Sequence, residues 1–252
     1  MTLDAARIAS LLGTERFGRS LDVRDRTGST NDDAREAEGV PDGHVIIADA
    51  QDAGRGARGR TWESPGGTDL YFSIVLTRAG LDPARLPPLT LAVGLGVAEA
   101  CGAHLGAPLR IKWPNDVVHE DRKLAGILVE SVSVGARLER VIIGVGIDVN
   151  REDFGALTGV ATSMARIADE PLDREAVLAA ALEGIEREAD RFLAHGPASI
   201  VPRVEERLAW VGLEVSCDDV RGTLLGLRAD GALRVRTPGG ERTLVSGTLR
   251  RA

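Results

Sequence analysis

Five runs rich in Val, Ile and Leu lie between residues 44 and 149, and they commit most of the first 150 residues to a sheet. The runs are HVIIADA (44–50), LYFSIVL (70–76), LRIKW (109–113), LAGILVESV (124–132) and RVIIGVGIDV (140–149), bounded by Gly, Pro or Asp. Between the second and third, Leu91, Leu95, Ala98 and Val93, Val97, Cys101, Leu105 recur at three and four residues, which predicts a buried helix. A shorter helix is expected over NDDAREAE (31–38), opened by Ser29, Thr30 and Asn31 and closed by Gly39. After Asn150 helices take over. From an N-cap at Asp173, the residues Val177, Ala181, Ile185, Ala189 and Phe192 form one apolar stripe, with Glu183 and Arg187 spaced for an i, i+4 pair on the polar side. A second helix is expected over 199–211, stopped by Gly212. Beyond it come short strand-like runs at 213–217, 220–227, 232–237 and 242–249, separated by DGA and PGGE turns, the pattern of a small barrel. Two domains are expected, 1–211 and 212–252, in an α+β chain.

The 252 residues are 43% hydrophobic and 27% charged, enough to bury a full core and ordinary for a globular protein. The longest uncharged apolar stretch, 86–98, ends at Glu99 and is too short to span a bilayer. The N-terminal MTLDAARIAS has no apolar centre of a secretory signal, so a cytoplasmic protein without a membrane partner is expected. Cys101 and Cys217 are far apart, and His44, His104, His119 and His195 are scattered; neither a disulfide framework nor a Cys/His metal site is expected. A net charge of −7 argues against an extended basic face for DNA or RNA, so positive charge must act locally.

That charge is concentrated in GRGARGRTWESPGG (54–67), whose first seven residues hold three arginines and three glycines. Glycines let backbone N–H groups close on a ligand, and arginines supply forked donors, a combination suited to phosphate or carboxylate. The stretch occurs once and runs into a strand, unlike a repetitive RNA-binding tail. No P-loop is present, and GLGVAE at Gly94 lacks the third glycine of a dinucleotide fingerprint, so a nucleotide would need another kind of site. Of the 31 basic residues only Lys112 and Lys123 are lysine, the compact ammonium that can reach a single oxygen. In KWPND (112–116), Pro114 ends a strand, and Asn115 and Asp116 at its exit suit either a turn or a phosphate or metal site. A hairpin from there to DRKLAG would bring both lysines to one strand-end surface. Gly144 and Gly146 in GVGIDVN (144–150) fit either crowding between layers or a ligand laid on the backbone. Ser29 with Asp32 fits a capping box.

In order, STN (29–31), Gln51 followed by AGRG (53–56), GRTWESPGG (59–67), LYFSIVL (70–76), KWPND (112–116), RKLAGILVE (122–130) and GVGIDVN (144–150) resemble the motifs of the biotin protein ligases. The resemblance implies a catalytic domain related to the class II aminoacyl-tRNA synthetases: a mixed, largely antiparallel sheet with helices on one face, followed by an SH3-like barrel. It implies that biotin and ATP, with Mg2+, give biotinyl-5'-AMP, and that a lysine of a biotin carboxyl carrier domain then displaces AMP. By position it assigns Ser29, Thr30, Asn31, Gln51, Arg55, Gly56, Gly144 and Gly146 to biotin, with Lys123 on the carboxyl oxygen; Lys123 and Arg55 are the expected catalytic residues. Arg58, Arg60, Trp62, Lys112, Asn115, Asp116 and Asp148 are assigned to ATP, and Asp116 also to magnesium. Two positions depart from the family. Ala57 stands where arginine is usual, which implies faster leakage of biotinyl-AMP unless Arg58 substitutes. Asp148 stands where asparagine is common beside the adenine, and a carboxylate cannot donate the amide's hydrogen bonds. With 28 residues ahead of STN, no DNA-binding helix-turn-helix domain is expected. A lipoate protein ligase or related acyltransferase, and a biotin sensor without turnover, are the alternative readings; monomer and homodimer both stay open.

Overall fold

The computed structural model describes the backbone of residues 3–77, 86–134 and 137–252. A seven-stranded sheet is built from β1 (Leu21–Thr27), β2 (His44–Gln51), β3 (Leu70–Leu76), β4 (Arg110–Lys112), β5 (Asp116–His119), β6 (Arg122–Val134) and β7 (Arg137–Ile147), in the order β1-β2-β3-β7-β6-β5-β4. Strands β1 and β2 run parallel and the other neighbours antiparallel. The five apolar runs become β2, β3, β4, β6 and β7. Strands β1 and β5 are additions: β1 mixes charged residues with Leu21 and Val23 on a half-exposed edge, and β5 is only four residues long. Strand β1 has no fully buried residue, and the buried run of β5, 116–118, is too short and opens on a charge, so neither gives the pattern by which a strand is recognised.

Side-chain alternation sorts the sheet into two faces. Val45, Ile47, Phe72, Ile74, Ile127, Ile143, Val145 and Ile147 enter the main core, covered by α3 (Leu86–Leu105) and α5 (Arg174–His195). These helices touch through their backbones, for a Cβ on Gly96 would lie 2.5 Å from the Gly184 carbonyl oxygen. Helix α3 is long and apolar enough to cross a membrane, but its apolar length is spent against the sheet and α5. On the other face Ile46, Val75 and Ile142 pack with Ala34 of the short α2 (Thr30–Glu36). Helix α1 (Ala5–Leu11), capped by Asp4, lies against α5, and α4 (Met164–Ala168) follows the last strand of the large sheet.

Asp173 caps α5 as expected, accepting from the N–H groups of Glu175 and Ala176. The Glu183–Arg187 pair does not form, because tertiary partners take both: Glu183 accepts from the Gly13 N–H, while Arg187 reaches Glu99 and Glu188. The helix expected over 199–211 is reduced to α6 (Val201–Glu206). Residues 207–209 run instead beside β4, where Ile111 N–H donates to the Arg207 carbonyl and Ala209 N–H to that of Ile111.

The last residues form a second sheet of β8 (Glu214–Cys217), β9 (Val220–Leu227), β10 (Leu233–Thr237), β11 (Gly240–Leu244) and β12 (Leu249–Arg251). It is antiparallel, in the order β11-β10-β9-β8-β12. The run 242–249 splits, since the chain bends after β11 and Leu249 returns to pair with Cys217. Strands β11 and β12 therefore sit at opposite edges, and the barrel is not closed between them. Val215, Leu224, Leu233 and Val235 join the same apolar cluster as Trp113 and Leu208. The division expected near Gly212 is thus one of sheets, while the core continues across it.

Candidate active site

The sheet face opposite α3 and α5 carries Ser73 of β3, Gly144 and Gly146 of β7, and Gly126, Leu128 and Glu130 of β6. Helix α2 delivers Ser29, Thr30 and Asn31 onto it, all buried. Ser29 occupies the N-cap but its side chain caps nothing, so the capping box with Asp32 is not formed and the residue lines a cavity. Gln51 Oε1 accepts from Thr30 N–H at 2.9 Å and Thr30 Oγ1 at 3.2 Å, while its Nε2 donates to Ser64 Oγ at 2.8 Å. Ser73 Oγ lies 2.6 Å from Asn31 Oδ1, and Asn31 Nδ2 donates to Glu130 Oε2 at 2.8 Å. The polar groups of this wall are therefore fixed before any ligand arrives. The space above the two glycines is already filled: a Cβ on Gly144 would overlap the Asn31 amide, and one on Gly146 would lie 2.5 Å from Trp62 Cε2. Glycine is required here by those side chains, and the bound ligand expected to lie on the strand would first have to displace the indole. The remaining cavity is about 40 Å3.

The Gly/Arg loop closes over this wall, with Gly56 N–H donating to the Arg60 carbonyl at 2.7 Å and Trp62 N–H to that of Gly54 at 2.8 Å. Its three arginines diverge. Arg55 turns inward, holding Glu130 at 2.7 and 3.2 Å and Asp32 at 2.9 Å. Arg58, in left-handed conformation at φ 61°, reaches out of the site to Asp218 at 2.9 Å and Thr248 at 3.2 Å on the second sheet. That ion pair turns Arg58 away from Ala57 and toward the second sheet. Arg60 is exposed and donates to the Ala57 carbonyl at 3.1 Å.

The meander of β4, β5 and β6 brings both lysines onto Asp116, with Lys123 Nζ 2.6 Å from Oδ1 and Lys112 Nζ 3.1 Å from Oδ2. Asp116 is 5% exposed. Burial pushes its carboxyl upward, but the Lys123 and Lys112 ammoniums outweigh burial and hold it below the ordinary range. Two cations share one anion, so the cluster keeps a net positive charge beside the cavity. Both Asp116 oxygens are engaged, and among the described residues no group of three His, Cys, Asp or Glu could hold a metal. The magnesium role expected for Asp116 does not fit this donor set. Lys123 Nζ also lies 4.9 Å over the Trp62 ring, whereas Lys112 faces Trp210 at 5.6 Å and lines neither cavity described here. Asn115 lines the first cavity and donates Nδ2 to the Ile127 carbonyl at 3.1 Å.

A second cavity of about 200 Å3 shares Gly56, Ala57, Trp62 and Lys123 with the first and adds Arg60, Arg151, Leu157, Ala161 and Asp148. Asp148 follows the glycines on the same face and is 4% exposed. Burial first, and then the neighbouring Asp69, push its pKa well above that of an ordinary carboxyl; Arg151 and Lys123 offset this only in part. Glu130, Asp32 and Arg151 are absent from the residues expected for the site. Glu130 had a signal, as a charge at an even spacing from Gly126 on an apolar strand, and Arg151 adjoins GVGIDVN. Leu157 and Ala161 had none.

The model of the biotin/lipoate A/B protein ligase family matches residues 20–148. The bifunctional ligase/repressor BirA of Bacillus subtilis (strain 168) is 32% identical across 98% of this chain and 78% of its own. The biotin ligase for acetyl-CoA carboxylase from Paracoccus denitrificans is 31% identical across 87% of this chain and 95% of its own. The biotin protein ligase from Aquifex aeolicus, solved in complex with biotin and ATP, superposes with a TM-score of 0.85 at 30% identity, covering 93% of this chain and all of that one. The two cavities joined at Lys123 are thus set in a fold and sequence shared along nearly the whole chain, and the protein belongs to the biotin/lipoate A/B protein ligase family.

Proposed function

We propose that the protein joins biotin to a lysine of a biotin carboxyl carrier domain, consuming ATP and passing through biotinyl-5'-AMP. The observation that carries this reading is Lys123, an ammonium tied to Asp116 where two cavities meet. In it, the first cavity takes biotin, with Ser29, Thr30, Asn31, Gln51 and Asn115 supplying its polar contacts. The second takes the nucleotide beside Trp62 and Asp148, with Arg60 and Arg151 at its wall. In the first step a biotin carboxylate oxygen bonds to the α-phosphorus of ATP, and the bond to pyrophosphate breaks. Both reactants are anions, so the fixed positive charge of the Lys112–Asp116–Lys123 cluster lowers the barrier by offsetting their repulsion. In the second step the neutral amine of the carrier lysine attacks the acyl carbon, AMP departs with the bonding pair, and the amine loses a proton as the amide forms. Magnesium would arrive with the triphosphate, since Asp116 is held by the two lysines. Ligand sites are commonly on the order of 300 Å3 or more, so a 40 Å3 cavity requires Trp62 and the Gly/Arg loop to swing aside on binding.

Incubation with biotin, ATP and a carrier domain tests the reading, with lipoate in parallel. The carrier should gain one biotinyl group and no lipoyl group, and Lys123→Met should slow biotin-dependent pyrophosphate release by about a hundredfold or more. Lipoylation instead, or biotin binding without turnover, would replace this reading.

A further inference from the structure

The second cavity is lined by a carboxyl group that has nothing to bind. Asp148 is 4% exposed, and no described residue donates a hydrogen bond to its carboxyl oxygens or lies within ion-pairing distance of them. A buried charge without a partner is far more costly than a buried neutral group. The charged groups around it are Asp69 before β3, Glu63 in the preceding loop, Lys123 of β6 and Arg151 after β7. Both cations are engaged elsewhere, Arg151 with Glu63 and Lys123 with Asp116. Asp69 is differently placed: burial pushes its carboxyl up too, but it accepts from Tyr71 Oη at 3.0 Å and from Val149 N–H at 2.9 Å, bonds that favour its ionised form and that Asp148 lacks. Of the two neighbouring acids, Asp148 is therefore the one that keeps a proton.

We propose that Asp148 reads the nucleobase as a carboxylic acid, its O–H and its carbonyl side by side pairing with an adjoining acceptor and donor on the base edge, the arrangement adenine offers at N1 and N6. The inference rests on the second cavity being the nucleotide site. A neutral carboxylic acid then does what a side-chain amide would do, whereas the ionised group presents two acceptors and suits an edge with two adjoining donors, as in guanine. Base preference becomes a function of pH. As Asp148 ionises, the affinity for adenine falls and the penalty against guanine shrinks.

The test is equilibrium binding of α,β-methylene-ATP and α,β-methylene-GTP to the full chain, with saturating biotin, from about pH 6 to pH 9, for the protein and its Asp148→Asn variant. The Kd for the adenine analogue should rise by up to about tenfold for each pH unit above the folded pKa in the protein, and stay flat in the variant. The variant shares every other ionisation, including those of the analogue. The ratio of the two affinities should drift toward guanine in the protein alone. Thermal melting supplies a second reading. A carboxyl whose pKa is raised by folding stabilises fully below its unfolded value, and that contribution is lost as pH rises through the folded value. The Asn variant should thus gain on the protein with rising pH and then hold a constant lead. Coincident Kd profiles, or a folded variant that binds no adenine analogue at any pH, would overturn the assignment of Asp148. If the profiles diverge as expected but the carrier is never biotinylated, the proposed function falls and this inference stands.

Discussion

Lys112 and Lys123 are the two lysines of the chain, and both rest on the carboxylate of Asp116. The arrangement makes Asp116 a counter-charge that aims one ammonium and steadies another. Replacing it in Asp116→Asn would leave two crowded cations with no anion, at a cost of roughly 2 kcal/mol, less than for a fully buried pair because the lysines are partly exposed. Because folding lowers this carboxyl's pKa, its contribution is complete above the unfolded value of 3.8 and lost only as pH falls below it. The stability gap between the protein and Asp116→Asn, read from urea midpoints, should therefore be level from about pH 5 to pH 8. The lysine pair could be read from the sequence because lysine is so rare in it. The direction of Arg58 could not: a left-handed residue in a glycine-rich loop gives no local hint of its target, and Asp218 lies 160 positions away. The shared placement of Gly144 and Gly146 was legible, but whether a ligand or the side chains of Asn31 and Trp62 fill the space above them depends on contacts from other elements.

At the next scale, the Gly/Arg loop is an element whose closed form is held from inside the site. Glu130 gathers Arg55 of the loop together with Arg35 and Asn31 of α2, so one strand residue ties the lid to the helix that forms the cavity wall. On the proposed function, a cavity of about 40 Å3 must widen to admit biotin, and the Arg55–Glu130 tie is a contact that resists the widening. Glu130→Gln keeps the shape and removes the charge. Stopped-flow fluorescence should show faster biotin entry and release of biotinyl-AMP accelerated about fivefold, since a half-buried, charge-assisted pair contributes on the order of 1 kcal/mol. The strands that support this site were readable because β2, β3 and β7 carry long runs of buried residues, while β6 is a long apolar run buried at 124–127. The end of α6 was not, since residues 207–209 leave the helical path to hydrogen-bond with Ile111, a preference set by β4 and not by their own side chains.

For the whole molecule, Arg58 links the loop to the second sheet, which is thereby connected to the state of the site as well as to the core. The single changes Arg58→Asp and Asp218→Arg should each raise biotinyl-AMP release about two- to threefold, the modest effect of an exposed ion pair. The double exchange should restore the original rate, and a double-mutant cycle on release rates checks the coupling. No sequence pattern announced this link, although the strand-rich C-terminal run itself was plain; the open edges of its sheet depend on where β12 finds a partner. Behind the large sheet the situation is reversed. Where Gly96 of α3 meets Gly184 of α5, peptide groups abut with no side chain between them to change rotamer and absorb a shift. The rear of the molecule is thus an incompressible backing plate, and whatever volume the reactants demand has to be yielded at the front.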